Sequence, residues 1–151
     1  MGTFNSDGVL LSRVMRNHID TWTDKPSKVF FEAFDKKTVP AIMLQQLSAA
    51  EVKKSYINGS YIGQWVFAIY ARTNAEDTKS RFDAVECLQK LGDWLQAKND
   101  NGTYAHLPEI DDKRSAIKIE MTSTPAIASR YEDGCEDYQA IFTLDYKATR
   151  R

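Results

Sequence analysis

The sequence predicts an α+β domain: a largely antiparallel β-sheet with an N-terminal helix and one long central helix packed on one face. Three observations carry this expectation. Two stretches repeat apolar residues every three to four positions, as an amphipathic helix does. Several short runs are rich in β-branched and aromatic residues, and the last of them alternates apolar with polar side chains, the period of a strand with one face on a core. The order along the chain is helix, strands, helix, strands, with no internal repeat, so residues 1–151 read as a single domain.

In chain order, Ser6 stands as a helix cap ahead of Leu10, Leu11, Val14, Met15, Ile19 and Trp22, whose spacing marks one buried face, and Asp24-Lys25-Pro26 ends that helix. Residues 28–34 (KVFFEAF) follow as a short aromatic strand, bounded by Pro26-Ser27 and Asp35-Lys36-Lys37. Pro40 opens a second strand over 41–47 (AIMLQQL), whose glutamines suggest one end that is wet or paired in a contact. Residues 51–61 alternate loosely around Asn58-Gly59, a dipeptide that readily takes the positive φ of a tight reversal, and read as a hairpin or a loop. Through Trp65, Val66, Phe67, Ile69 and Tyr70 the segment 61–73 is apolar on both faces, which predicts a central strand.

Asn74 is placed to cap a helix over 75–97, with Glu76 and Asp77 in the first turn, where the helix dipole favours carboxylates. Phe82, Val85, Leu88, Leu91, Trp94 and Leu95 form its apolar stripe, opposite Lys79, Asp83, Glu86, Lys90 and Asp93. Residues 98–114 are polar and contain Gly102 and Pro108, so they read as a long loop of the kind that often carries function. Residues 116–121 alternate as a strand, Pro125 interrupts, and 126–131 form a second short run. Gly134 then turns the chain into a strand over 138–148 with Tyr138, Ala140, Phe142, Leu144 and Tyr146 on one face.

At 151 residues, 42% hydrophobic and 27% charged, the chain is an average globular domain. A domain of this size buries roughly 68 to 70% of its unfolded surface. Its longest apolar run, from Trp65 to Ala71, falls far short of the roughly 18 to 20 residues that span a bilayer, so no membrane association is expected. A net charge of -1 and a pI near 6.1 argue against nucleic acid as a binding partner. Cys87 and Cys135 stand apart and read as free thiols in a reducing compartment.

Catalytic chemistry finds no purchase in this pattern. His18 and His106 have no metal-ligand spacing, and no glycine-rich phosphate cradle is present. Glu109, Asp111 and Asp112 near His106 would be the donors of a small metal-binding domain, but they lack the order of a calcium loop. The expectation is a non-enzymatic protein with no cofactor and no metal. Glu132, Asp133, Glu136 and Asp137 gather around Gly134 as an acidic turn that repels itself and would repel DNA.

Over residues 8–148 the order of these pieces resembles the tail terminator, or minor capsid, proteins of bacteriophages with long non-contractile tails. The pieces are the helix through Trp22, KVFFEAF, the strand after Pro40, YINGSY at 56–61, FAIYAR at 67–72, the helix with Trp94-Leu95, and GCEDYQAIFTLDY at 134–146. The resemblance implies a structural protein that assembles as a homo-oligomeric ring, commonly a hexamer, on the major tail tube protein. Such a ring stops tube growth and presents a surface to a head-side connector or completion protein. It implies synthesis in the host bacterial cytoplasm, a place at the neck-proximal end of the virion tail, and a lumen through which DNA passes without sequence-specific binding. On that reading Tyr56, Ile57, Tyr61, Tyr104 and His106 are candidate interface residues, and the acidic turn is a candidate lumen surface. A head-side completion or connector protein would share this size and composition.

Overall fold

The computed structural model describes residues 3–34, 39–74 and 77–149. The elements run β1 (Thr3–Asn5), α1 (Gly8–Ile19), β2 (Val29–Phe31), β3 (Ala41–Gln46), β4 (Ala50–Ser55), β5 (Tyr61–Asn74), α2 (Thr78–Gln96), β6 (Arg114–Arg130) and β7 (Cys135–Ala148). The fold is α+β, with one mostly antiparallel sheet that has seven strands among the described residues. β5 is its axis. One edge of β5 pairs with β7 from Tyr61↔Ala148 to Asn74↔Cys135. The other edge is shared: β4 takes Tyr61 to Gln64 and β3 takes Phe67 to Arg72. β1 extends β4, β6 extends β7, and β2 lies parallel to β3.

Alternation along the two long strands decides which face is covered. Trp65, Phe67, Ile69 and Ala71 of β5 lie opposite Leu144, Phe142, Ala140 and Tyr138 of β7, and all eight are buried. Trp65, Phe67 and Phe142 stack in series, with ring centroids 4.8 and 5.5 Å apart. Leu11, Met15 and Ile19 of α1 and Leu88, Leu91 and Leu95 of α2 belong to the same core cluster, so both helices cover one face of the sheet. Of the two glutamines at the end of β3, Gln46 is paired, its Oε1 accepting from Trp65 Nε1 at 3.1 Å.

Several local expectations are corrected. Ser6 does not cap α1; the cap position is Asp7, whose backbone carbonyl accepts from Leu11 while its side chain is directed elsewhere. Asn74 ends β5 instead of capping α2, and Asp77 caps it by accepting from the Ser80 N–H at 2.8 Å. Ala75 and Glu76 lie outside the described residues, as do Asp35, Lys36 and Lys37. Phe82 is 69% exposed because the buried stripe of α2 is Ala84, Leu88, Leu91 and Leu95, and a residue two positions before Ala84 faces nearly the opposite way. Pro125 does not interrupt its strand. β6 runs continuously from Arg114 to Arg130 as an edge strand, where a missing N–H is tolerated, and the register slips between Ser123 and Ala126. The segment 51–61 is a true hairpin, with Gly59 at φ 89° in its turn.

Gly63 matters for a different reason. It lies opposite Tyr146, whose ring crosses it where a Cβ would stand. The ring is held at its hydroxyl by Asp7. Gly63→Ala is expected to destabilise the fold by about 1–3 kcal/mol through overpacking. Urea midpoints followed by circular dichroism will measure this, and a midpoint equal to that of the wild type would mean that the Tyr146 ring is free to shift.

Candidate functional site

Polar chemistry is concentrated in three internal clusters. One surrounds Asp7, 5% exposed at the start of α1. Its Oδ2 accepts from the hydroxyls of Tyr61 at 2.5 Å and Tyr146 at 2.7 Å, and its Oδ1 accepts from Arg114 Nη2 at 3.0 Å. Arg114 Nη1 also donates to Asp111 Oδ2, and Asn5 Nδ2 donates to the Tyr146 hydroxyl. Burial alone would raise the Asp7 carboxyl, but the donors from Tyr61, Tyr146 and Arg114 outweigh it and hold the group below its usual 3.8.

A second cluster lies at the far end of β5 and β7. Glu136, buried beneath α2, accepts from Arg81, Arg130 and the Tyr138 hydroxyl. Asp137, on the opposite face, makes a bidentate pair with Arg72 at 2.7 and 3.0 Å and accepts from the Tyr131 hydroxyl. The Arg72 guanidinium lies 4.3 Å from the Phe34 ring centroid and 4.9 Å from that of Tyr131. The four carboxylates expected to crowd one turn are therefore divided. Glu132 and Asp133 are exposed in the turn, and Asp133 accepts from the Cys135 N–H, whereas Glu136 and Asp137 are buried in β7 and matched by cations. Alternation of the strand sends those two to opposite faces.

The third cluster pins the long loop. His106 stacks on Trp94 at 4.7 Å and its Nδ1 donates to the Trp94 carbonyl at 2.8 Å. His18 lies 5.0 Å from the same indole on its own side, and its Nε2 donates to the His106 carbonyl at 2.7 Å. Burial lowers the His18 pKa below 6.5 despite that hydrogen bond.

The five candidate interface residues accordingly do not form one surface. Tyr56 and Ile57 are exposed at the β4–β5 turn, and Ile57 is fully in solvent. Tyr61 is half-buried beside Tyr146 and committed to Asp7. Tyr104 packs against the core, bridged to Lys98, and His106 is held between α1 and α2. Glu109, Asp111, Asp112 and His106 do not converge: among the described residues no group of three or more His, Cys, Asp or Glu side chains is placed to hold a metal ion.

One groove of about 500 Å³ opens between α2, the segment after α1 and the end of β5. Trp22, Ala71, Ala84 and Cys87 line it, with Asp24, Asp83, Glu86 and Lys90 at the rim. Burial pushes the Cys87 thiol up to about 11, against a smaller pull downward from Lys90, so it is a poor nucleophile. The Asp7 cluster and this groove were not legible in the sequence, because their members come from segments up to 141 residues apart and share no local motif. No protein-family model matches the chain, and no curated protein matches it. No helix among the described residues is long and apolar enough to cross a membrane.

Asp7→Asn leaves Arg114 without its buried counter-charge and is expected to cost about 3 kcal/mol, read as a lower urea midpoint at pH 7. Because the folded pKa of Asp7 is depressed, its contribution is present above 3.8 and is lost as pH falls through the lower folded value. The variant's acid limb should be correspondingly flatter. His18 also has a depressed folded pKa, so stability should fall as pH drops below 6.5 toward that value. His18→Gln should flatten midpoints measured between about pH 7.5 and 5; identical slopes for variant and wild type would remove His18 from this role.

Proposed function

We propose that this protein is a structural phage component that caps the tail tube, stops its polymerisation and provides the head–tail joining interface. The resemblance of residues 8–148 to tail terminator proteins brings the tail into the reading. What supports an assembly role in this chain is how its chemistry is distributed. The buried carboxylates Asp7, Glu136 and Asp137 are all spent on internal partners, while the large apolar side chains Val9, Ile57 and Phe82 are left in solvent, 69, 109 and 69% exposed. Each of these side chains gains by being buried against a partner.

In this reading copies of the chain form a closed ring, one side of which meets the tail tube and the other the head-side connector. DNA passes through the lumen without sequence-specific contact. Of the four acidic residues considered for that lumen, Glu132 and Asp133 are the two whose charge is exposed. Negative charge at such a surface lets DNA slide without adhering. No catalytic step and no cofactor enters the proposal.

Electron microscopy of lysates from a phage in which this gene is disrupted tests it. Tail termination predicts overlong, headless tubes. Tails of normal length that fail to join heads would instead assign a connector role, and intact infectious particles would refute both.

A further inference from the structure

On α1, Val9, Ser12, Arg13 and Arg16 stand at i, i+3, i+4 and i+7, one stripe of the helix. With Phe31 of β2 and Gln46 of β3 that stripe lines a groove of about 360 Å³, at the small end of the range in which ligand pockets fall. Its apolar walls are left in solvent: Val9 is 69% and Phe31 47% exposed.

The charge in this groove is unanswered. Of the six arginines among the described residues, Arg72, Arg81, Arg114 and Arg130 each pair with a buried carboxylate. The two without an ion pair, Arg13 and Arg16, are neighbours on one helix face, and both line the groove. Arg16 is already oriented, donating from Nε to the Val29 carbonyl at 2.8 Å and from Nη1 to Asn17 Oδ1 at 3.2 Å. No carboxylate is among the lining residues. Asp20 and Glu32, close in sequence to Arg16 and Phe31, accept instead from the Val29 and Gln46 N–H groups. Ser12, also in the lining, is 4% exposed, and its Oγ has no hydrogen-bond partner. A bare inorganic anion would answer the arginines and leave Val9 and Phe31 wet, whereas a neutral apolar molecule would do the reverse.

We propose that this groove binds a small organic carboxylate carried on an unbranched apolar chain, with the carboxylate at Arg13, Arg16 and Ser12 and the chain between Val9 and Phe31. The guanidinium groups give the carboxylate charge-assisted hydrogen bonds, and its oxygens supply the acceptor that the Ser12 hydroxyl lacks. The site needs one subunit only, so it stands or falls independently of the ring reading.

Octanoate is the probe, titrated into the full chain and followed by backbone amide and arginine Nε signals in proton–nitrogen NMR spectra. The expected result is saturable shifts confined to α1, β2 and the Arg16 Nε, with a Kd at or below about 1 mM. Octanol lacks the charge and acetate lacks the chain, so each should bind about tenfold more weakly or worse. Arg13→Gln removes an exposed cation with no internal partner and should weaken octanoate by about tenfold without changing the fold. Ser12→Ala removes an unsatisfied buried hydroxyl, so it should raise the urea midpoint and yet weaken octanoate. Octanol binding as tightly as octanoate, an affinity unchanged by Arg13→Gln or by Ser12→Ala, shifts spread over the rest of the chain, or no saturation would each overturn the proposal. An acetylated tripeptide ending in leucine that binds more tightly than octanoate would overturn the choice of a free amphiphile and give the groove to the end of a protein chain.

Discussion

A carboxylate taken out of water must be answered by donors, and Asp7 is answered from three strands at once. Tyr61 begins β5, Tyr146 is near the end of β7 and Arg114 begins β6, so one side chain at the head of α1 gathers the same end of the three longest strands. Every one of those donors is itself constrained. The Tyr146 ring is pressed across Gly63, Arg114 is shared with Asp111, and Tyr61 meets Tyr146 edge to face at 6.3 Å. The arrangement fixes where α1 enters the fold, and α1 in turn supplies Leu11, Met15 and Ile19 to the core. Such a network is costly to leave half-satisfied, which makes the N-terminal end of the domain an all-or-none feature.

The opposite end of the sheet follows the same logic with the signs distributed differently. Glu136 and Asp137 are neighbours in sequence and sit on opposite faces, each neutralised by its own arginines and a tyrosine hydroxyl. Between the two ends lies the apolar middle, where Trp65, Phe67 and Phe142 stack under the helices. The long loop after α2 is fastened by His18, Trp94 and His106, so a segment that is polar in sequence still contributes to how the two helices are held. Ionic and aromatic anchors at the periphery thus frame a core that is otherwise simple in composition.

The buried carboxylates Asp7, Glu136 and Asp137 are bound up in internal pairs, and the Cys87 thiol in the groove is made less acidic by burial. Among the large apolar side chains left in solvent are Val9 on α1, Ile57 at the hairpin apex and Phe82 on α2.

Much of the fold was legible along the chain. Periodicity located both helices and the strands around Trp65 and Phe142, because a side chain's face depends only on spacing within its own element. Asn58-Gly59 marked the hairpin for the same local reason. Boundaries that depend on a competing partner were not legible: Ser6 and Asn74 have the chemistry of caps, but Asp7 and Asp77 hold the cap positions, and Pro125 breaks strands only where its missing N–H would be needed. The candidate site divided along the same line. Tyr56 and Ile57 are exposed at the apex as a turn position implies, whereas Tyr61, His106, Glu136 and Asp137 carry polar groups whose fate was decided by residues far away in sequence. The sequence by itself determined the α+β class and the alternation of buried and exposed positions, since these follow from local backbone geometry. Only the tertiary structure decided which charges are buried and matched and which apolar side chains are left over, because desolvation is settled by what packs against a group and not by its neighbours in the chain.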